Sequence, residues 1–331
     1  MIIETRAYAR AGLLGNPSDG YFGKTISIIV RNFGTSISLY ESPEFRIEES
    51  GVDLNTFRNV YHMVDSVKLS GYYGGTRLIK AAIKKFVEYC ESDNIPLCNK
   101  NFTVRYRSSI PRQVGLAGSS AIITATMKAL MQFYNVEISK NILPSLILKA
   151  ETEELGINAG LQDRVIQVFE GCVFMDFEKE YLQKNNFGIY ESIDSTLLPK
   201  LYLAYKVELG KVSGVVLNNI REKYEKGDPL VIDTLAELGE LAQKGKDAIL
   251  VKDYAVLNEL IDKNFDLRSK IMNISLSNME LVQTARKCGA SAKFSGSGGA
   301  IIGMYEDDEM LQKLIVNLRQ IKARVIKPII R

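Results

Sequence analysis

The 331-residue chain contains no tryptophan, one histidine and four cysteines. Because His62 is the single imidazole, chemistry that needs two imidazoles within one chain is excluded. The cysteines form no CxxC pair, and one histidine cannot complete a ligand set with them, so a structural zinc site is not expected. We expect reduced thiols in a packed interior, which points to a reducing compartment. The four positions are Cys90, Cys98, Cys172 and Cys288.

An excess of charge and long apolar segments are also absent. Lysine and arginine number 42 against 39 acids, and a net charge of +3 does not by itself indicate a nucleic-acid partner. No window reaches the roughly 18 uncharged apolar residues of a membrane span. The N-terminal sequence MIIETRAYAR lacks the apolar core of a signal peptide. We therefore expect a cytoplasmic protein without nucleic-acid or membrane partners, either a monomer or a homodimer.

Apolar residues make up 46% of the chain and charged residues 24%, as in an ordinary globular protein. The first part is rich in predicted strands: β-branched runs on both sides of Arg31–Gly34 predict a hairpin there. Helical periodicity marks Leu78–Tyr89, and the segment Ser119–Tyr134 is apolar on most faces, which predicts a buried helix. Residues 178–200 have the composition of a polar link.

The remainder changes character. A strand at Leu201–Val207 precedes a long helical stretch from about 215 to 285, with predicted breaks at Lys226–Pro229 and near Asn273–Ser277. The last part contains two strands around a glycine-rich turn, then a helix and a strand. The length allows about two domains. We therefore predict an α+β protein with domains at 1–195 and 196–331.

A glycine-rich loop, PRQVGLAGSSA from Pro111 to Ala121, leads directly into the predicted buried helix. Small residues let the backbone approach an anion, and a helix start offers unpaired N–H groups. Ser119 and Ser120 could cap the helix and still present a hydroxyl to phosphate or Mg²⁺. A loop with a good N-cap is the alternative interpretation. No GK[ST] follows, so the segment is not a Walker P-loop.

Two further glycine-rich turns are candidate sites. In the first, Arg10 enters the turn and Asp19 leaves it; the arginine, if buried, needs an anionic partner, and the carboxylate could accept hydrogen bonds from a polyol. The second, KFSGSGGA at 293–300, could form a nest of N–H groups for an anion. A surface turn and a flexible hairpin turn are the respective alternatives.

An acidic segment, ETEELGINAGLQDR, runs from Glu151 to Arg164. Glu151 and Glu154 share a helix face, and Asp163 follows a glycine turn, so a Mg²⁺ site and a carboxylate base would both fit. A solvated acidic face is the alternative. Together with the glycine-rich turns, this segment supplies what ATP-dependent phosphoryl transfer requires, because that reaction relies on positioning and electrostatics.

The order and content of these motifs resemble the GHMP kinases, the superfamily of galactokinase, homoserine kinase and mevalonate kinase. The 111–121 loop is similar to the family's PxxxGLGSSAA loop, with one residue more, and 293–300 is similar to its KxxGxGGG loop. The resemblance extends from Arg6 to Tyr305. It implies an N-terminal domain like the second domain of ribosomal protein S5 and a ferredoxin-like C-terminal domain, with the site between them.

The resemblance also implies ATP, Mg²⁺ and roles for individual residues. Asp163 corresponds to the catalytic aspartate and Arg10 to an arginine that favours the alkoxide electrostatically. Glu151, or alternatively Glu154, corresponds to the Mg²⁺-binding glutamate, together with Ser120 or Ser119. The phosphates of ATP would contact Pro111, Gly115, Leu116, Ala117, Gly118, Ser119, Ser120, Ala121, Gly296, Ser297 and Gly298.

Within the superfamily, strings such as ARAGLLGNPSDGYFGKTIS are similar to those of the glucuronokinases, which implies phosphorylation of the anomeric hydroxyl of D-glucuronate. Asp19 would bind sugar hydroxyls. Asn16 stands where galactokinase-type motifs carry a glutamate, and a neutral amide would not repel a carboxylate. Arg164 is either a partner of that carboxylate or part of a structural ion pair. Another sugar, a heptose phosphate, or a non-catalytic sensor on the same fold are the alternative functions.

Overall fold

The computed structural model describes residues 1–48, 75–207 and 214–331, without the side chains of 214–219. His62 lies outside the described residues. In the described part of the chain, no helix is long and apolar enough to cross a membrane. All four cysteines are free; Cys90 and Cys172 are buried, but Cys98 is exposed, so the expectation of interior thiols is wrong for that residue. Cys98 lies in the irregular segment between a helix and a strand, where the chain runs over the surface.

The first half of the chain forms a six-stranded sheet. Its order is β3-β4-β2-β5-β6, with β1 paired to the long strand β2. All pairs are antiparallel except β3 with β4. The strands are β1 (Ile2–Leu14), β2 (Lys24–Glu41), β3 (Arg46–Ile47), β4 (Phe102–Ser108), β5 (Cys172–Asp176) and β6 (Ile189–Ile193).

The predicted hairpin at Arg31–Gly34 is wrong, because β2 runs straight through this segment. The pairing with β1 jumps there from Ala9↔Val30 to Tyr8↔Gly34, so the residues between Val30 and Gly34 bulge out of the ladder. A bulge bends a strand without reversing it. One end of β2 can therefore pair with β5 and the other end with β4, while β1 pairs with both ends of β2.

The described residues of this half form five helices, and the central one, α2, packs against β1 and β2. The predicted buried helix is confirmed, because most side chains of α2 are buried. The interpretation of 178–200 as a polar link is wrong: this region contains α5 and β6, whose mostly exposed residues give no apolar periodicity. The helices are α1 (Gly75–Ser92), α2 (Gly118–Tyr134), α3 (Leu143–Thr152), α4 (Gln162–Phe169) and α5 (Lys179–Asn185).

The second half forms a four-stranded antiparallel sheet in the order β10-β7-β9-β8. Both predicted helix breaks are confirmed, and a third occurs at Lys252, where a left-handed residue ends one helix and Asp253 caps the next. The strands are β7 (Leu201–Lys206), β8 (Lys293–Phe294), β9 (Ala300–Met304) and β10 (Ala323–Ile326), and the helices are α6 (Gly214–Glu225), α7 (Pro229–Val251), α8 (Tyr254–Ile271), α9 (Leu276–Lys287) and α10 (Asp308–Gln320).

The two halves share a hydrophobic core. One cluster of buried side chains contains Ile28 of β2, Leu203 of β7 and Leu238 of α7. Helix α7 packs against β2, and α8 packs against β1, β8 and β9. The predicted boundary near residue 195 lies between the last strand of the first sheet and the first strand of the second; the division into two domains stays a prediction.

A polar contact connects α8 to the turn that follows β1. The Gly15 N–H donates to Asn264 Oδ1 at 2.7 Å, and Asn264 Nδ2 donates to the Asn16 carbonyl at 3.4 Å. Asn264 is fully buried and Gly15 and Asn16 are buried as well, so these polar groups depend on one another for hydrogen bonds. The contact therefore determines where this turn lies relative to the second half of the chain.

We expect Asn264→Ala to lower the free energy of unfolding by about 1 to 3 kcal/mol, because it leaves the buried Gly15 N–H without an acceptor. The matched control is Asn185→Ala, which removes one hydrogen bond at the surface and is expected to cost less than about 0.5 kcal/mol. Urea unfolding of both variants measures the difference. Equal losses of unfolding free energy in the two variants would contradict the role of Asn264 as a buried hydrogen-bond acceptor.

Candidate active site

A cavity of about 370 Å³ lies where the motifs of the two halves meet. It is lined by the turn after β1, the loop before α2, the start of α4 and the turn between β8 and β9. Of the predicted site residues, three do not line it: Ala121 is buried in the core, Gly298 lies beside Gly115 in the adjoining turn, and Glu154, the alternative to Glu151, lies outside. Residues up to 287 positions apart in the chain (Arg10 to Ser297) thus share one cavity.

The loop before α2 ends in a helix start without a side-chain cap. The helix begins at Gly118, and the preceding Ala117 has a left-handed backbone with φ of 61°. The expectation that the serines cap the helix is therefore wrong, because Ser119 and Ser120 already lie in the first turn. Ser120 Oγ instead donates to the Ala117 carbonyl at 3.2 Å. The start of the helix directs the positive end of its dipole at the cavity, where it would favour an anion.

The two glycine-rich loops touch each other at their backbones. A Cβ at Gly296 would lie 2.2 Å from the Gly115 carbonyl oxygen, and a Cβ at Gly115 would lie 2.9 Å from the Gly298 oxygen. Gly115 also has a φ of +69°, which side chains rarely adopt. Glycine at these positions is thus required by close approach of two loops, which together form one wall of the cavity.

Arg10 and Asp163 form a bidentate ion pair inside the cavity. Arg10 Nε and Nη2 donate to the two carboxylate oxygens at 2.5 and 2.8 Å, and the predicted need of Arg10 for an anionic partner is confirmed. Burial raises the pKa of Asp163, but Arg10 and Arg164 outweigh it, and the pKa lies below its usual 3.8. Asp163 is therefore ionised at neutral pH, as its place in the first turn of α4 also favours.

Glu151 and Arg164 form a second buried pair. Arg164 Nε donates to Glu151 Oε2 at 2.6 Å, Nη2 donates to the same oxygen, and Nη1 donates to the Gly160 carbonyl at 2.7 Å. Of the two interpretations of Arg164, the structure shows the ion pair. Glu154 instead forms ion pairs with Lys84 and Lys85 and does not line the cavity.

Asp19 lines the cavity beside the acidic turn. Its Oδ2 accepts a hydrogen bond from the Gln162 N–H at 3.3 Å, and a Cβ at Gly160 would lie 2.1 Å from this oxygen. Burial, and then the charge of Asp163, raise the pKa of Asp19 to about 6. Asp19 is thus an acceptor whose charge changes near neutral pH.

Asn16 is oriented by Lys293, a residue to which the sequence motifs assigned no role. The buried ammonium of Lys293 donates to the carbonyls of Gly12 and Phe294 at 2.7 and 2.9 Å and to Asn16 Oδ1. Burial and the nearby Arg268 lower the pKa of Lys293 well below its usual range. Because Oδ1 is engaged, the amide nitrogen is the donor that Asn16 has left; it makes no hydrogen bond with any described residue, and Asn16 lines the cavity.

Arg268 lines the cavity, although sequence reasoning assigned it no role. It projects from α8, which carries no motif, and only the packing of α8 against β1 and β8 brings it to the site. Its Nη1 donates to the Gly296 carbonyl at 2.8 Å.

The fit of a divalent cation can be tested on the donor set. Among the described residues no group of three or more His, Cys, Asp or Glu side chains could hold a metal ion. Glu151 and the hydroxyl of Ser120 do line the cavity, and hard oxygen donors of this kind suit Mg²⁺, which commonly takes one carboxylate plus substrate phosphates and water. The residues therefore fit an ion that arrives with a phosphate ligand, rather than one held by protein alone.

Comparisons with known proteins identify a matching family, similar sequences and similar structures. Residues 77–171 match the family described as the GHMP kinases N terminal domain. "Probable glucuronokinase 2" of Arabidopsis thaliana is 43% identical over 99% of this chain and 91% of its own length. "Glucuronokinase 1" of the same plant is 44% identical over 95% of this chain and 88% of its own. The structure of Lactococcus lactis galactokinase complexed with galactose has the same fold, with a TM-score of 0.78 at 14% identity, covering 99% of this chain and 93% of that one.

We expect Gly296→Ala to lower the free energy of unfolding by about 1 to 3 kcal/mol, since the new methyl group overlaps the Gly115 carbonyl and forces the two loops apart. Gly20→Ala is the matched control, because a Cβ there meets nothing within 4 Å. Thermal and urea unfolding compare the two variants. A Gly296→Ala protein as stable as the control would contradict the contact between the loops.

Proposed function

The chain belongs to the GHMP kinase family, and from this membership we propose that it is a glucuronokinase, which transfers a phosphoryl group from ATP to the anomeric hydroxyl of D-glucuronate. The products are ADP and D-glucuronate 1-phosphate. The observation that carries the proposal is the ionised Asp163, paired with Arg10 and facing a cavity with two glycine-rich loops. The identity of 43% and 44% to two plant glucuronokinases over nearly the whole chain supports the choice of sugar.

Asp163 is proposed to accept a hydrogen bond from the anomeric hydroxyl and to hold its oxygen in line with the γ-phosphorus. A bond forms between this oxygen and phosphorus, the bond from phosphorus to the ADP oxygen breaks, and the hydroxyl proton passes to the Asp163 carboxylate as the transfer completes. With a lowered pKa, Asp163 is a weak base, so orientation and charge contribute more than early proton abstraction. Arg10 holds the carboxylate in place and favours the developing negative charge on the sugar oxygen.

The phosphates of ATP are proposed to bind at the uncapped start of α2, against the backbone of Gly115–Ser120 and the adjoining turn at Gly296–Gly298. The left-handed Ala117 and the close approach of the two loops give this backbone its shape. Mg²⁺ bound with ATP would neutralise phosphate charge, with Glu151 and Ser120 as its protein ligands. Glu151 would then be shared with Arg164, which holds its carboxylate in the cavity wall.

The sugar is proposed to lie between Asp163 and the turn after β1. Asp19 accepts hydrogen bonds from sugar hydroxyls, and the amide nitrogen of Asn16 donates to the substrate. Since Arg164 is engaged by Glu151 and Gly160, we do not assign it to the sugar's carboxylate.

We further propose that the chain works in the cytoplasm and folds as domains 1–195 and 196–331. The free cysteines support the reducing compartment. The separate sheets before and after residue 195 support the domain division.

The function is tested by ADP release from MgATP with D-glucuronate, D-galacturonate, neutral hexoses and heptose phosphates. We expect turnover with D-glucuronate, and Asp163→Asn should reduce kcat by about 100- to 10,000-fold, because the ionised acceptor is lost. The exposed Asp247→Asn is the control and should retain activity. Turnover with a different sugar would replace the substrate assignment. ATP binding without turnover of any sugar would favour a sensor.

Asp19 predicts a pH dependence of sugar binding. The carboxylate accepts hydroxyl hydrogen bonds when ionised, and its pKa is about 6, so affinity for the sugar should fall as the pH drops below about 6. The carboxylate of the sugar and Asp163 stay ionised in this range, so neither produces the change. Sugar dissociation constants measured from pH 5 to 8 should show this fall in the wild type and lose it in Asp19→Asn. Persistence of the fall in the variant would assign it to another group.

A further inference from the structure

Arg268 is a buried cation that faces the cavity without a carboxylate partner among the described residues. Only 2% of the residue is exposed. Its guanidinium donates to the Gly296 carbonyl and to the sulfur of Met272, and it lies 5.4 Å from the ring centre of Phe294. All three partners are uncharged.

Burying a guanidinium against neutral groups is unfavourable unless an anion compensates it. Burial lowers the pKa of Arg268 to about 10, which still leaves it charged at neutral pH. The other two arginines buried in the cavity wall are already paired, Arg10 with Asp163 and Arg164 with Glu151. Arg268 is therefore the buried arginine of the described site that has a charge to offer an incoming anion.

In the proposed reaction two anions enter the cavity, the triphosphate of ATP and the carboxylate of the sugar. The phosphates have the start of α2 and two glycine-rich loops. Arg268 lies on α8 one turn after Asn264, which is hydrogen-bonded to the Gly15–Asn16 turn that we place beside the sugar. Asp19, the proposed acceptor of sugar hydroxyls, is the carboxylate that most favours the charged form of Arg268. Asn264 and Asp19 place Arg268 beside the sugar, although the Gly296 carbonyl that it contacts belongs to the loop beside the phosphates, so the experiment must separate the two anions.

We propose that Arg268 binds the carboxylate group of the sugar and sets the preference for a uronic acid over a neutral sugar. This inference rests on the proposed function and names the residue that discriminates its substrate. The amide nitrogen of Asn16 is the second donor to the same group. Lys293 does not compete for it, because its ammonium makes three hydrogen bonds to oxygens of the protein and keeps Asn16 in this orientation.

The test compares binding of D-glucuronate with binding of D-glucuronamide, its neutral analogue, by calorimetry in the presence of a non-hydrolysable ATP analogue. In Arg268→Gln we expect affinity for D-glucuronate to fall about 100-fold and affinity for D-glucuronamide to change less than about threefold. Arg268→Lys keeps the charge but not the two-pronged geometry, and should lose about tenfold for D-glucuronate. If Arg268→Gln does not fold, the two sugars are compared in Arg268→Lys instead.

Arg221→Gln is the matched control. Arg221 is an exposed arginine at the rim of the same cavity and has no ion pair with any described residue, so its loss should change the glucuronate affinity less than about threefold.

Three outcomes overturn the inference. Equal losses for both sugars in the Arg268 variants would show a structural role. Weaker binding of the ATP analogue by the Arg268 variants, with an unchanged preference between the two sugars, would assign Arg268 to phosphate binding. An effect of Arg221→Gln as large as that of Arg268→Gln would show that affinity depends on the overall charge of the cavity and not on Arg268 in particular. A wild-type protein that binds no uronic acid would instead contradict the proposed function, and is recognised before any variant is made.

Discussion

The ion pair between Arg10 and Asp163 is the interaction on which the site depends. The two residues are 153 positions apart, and Arg10 Nη1 donates in addition to the carbonyls of Gly115 and Ser295. One guanidinium thus connects the first strand, the acidic turn and both glycine-rich loops. Since it is buried, the cost of removing its charge from water is compensated only when all these partners are in place. The four motifs therefore adopt their arrangement together.

Charge around the cavity follows from the same constraint. Arg10 and Arg164 are each neutralised by a carboxylate of the protein, and these pairs hold the acidic turn against the cavity. Lys293 and Arg268 have neutral oxygen acceptors instead. A site that keeps a buried positive charge beside the partly protonated Asp19 is arranged for anionic ligands, which agrees with a reaction between ATP and an acidic sugar.

The incorrect sequence predictions have a common physical origin. A hairpin was predicted at Arg31–Gly34 because β-branched runs lie on both sides of this segment, but β1 offers a partner on both sides and keeps β2 continuous. Strand β6 was missed because its residues are largely exposed and carry no alternation. In each case pairing with a distant strand decided the conformation, and the local pattern contains no information on that partner.

By itself the sequence determined the α+β class, most helices, the glycine-rich loops and the residues Arg10, Asp19, Glu151 and Asp163, because helical periodicity and motif spacing are local properties of the chain. Tertiary structure alone decided which charges are paired. It paired Arg164 with Glu151, and it paired Glu154 with a lysine of α1 outside the cavity. It also brought Arg268, from a helix that carries no motif, into the cavity wall. The reason is that ion pairing depends on distances across the core between residues far apart in the chain, and these are set only when the two sheets and their helices pack.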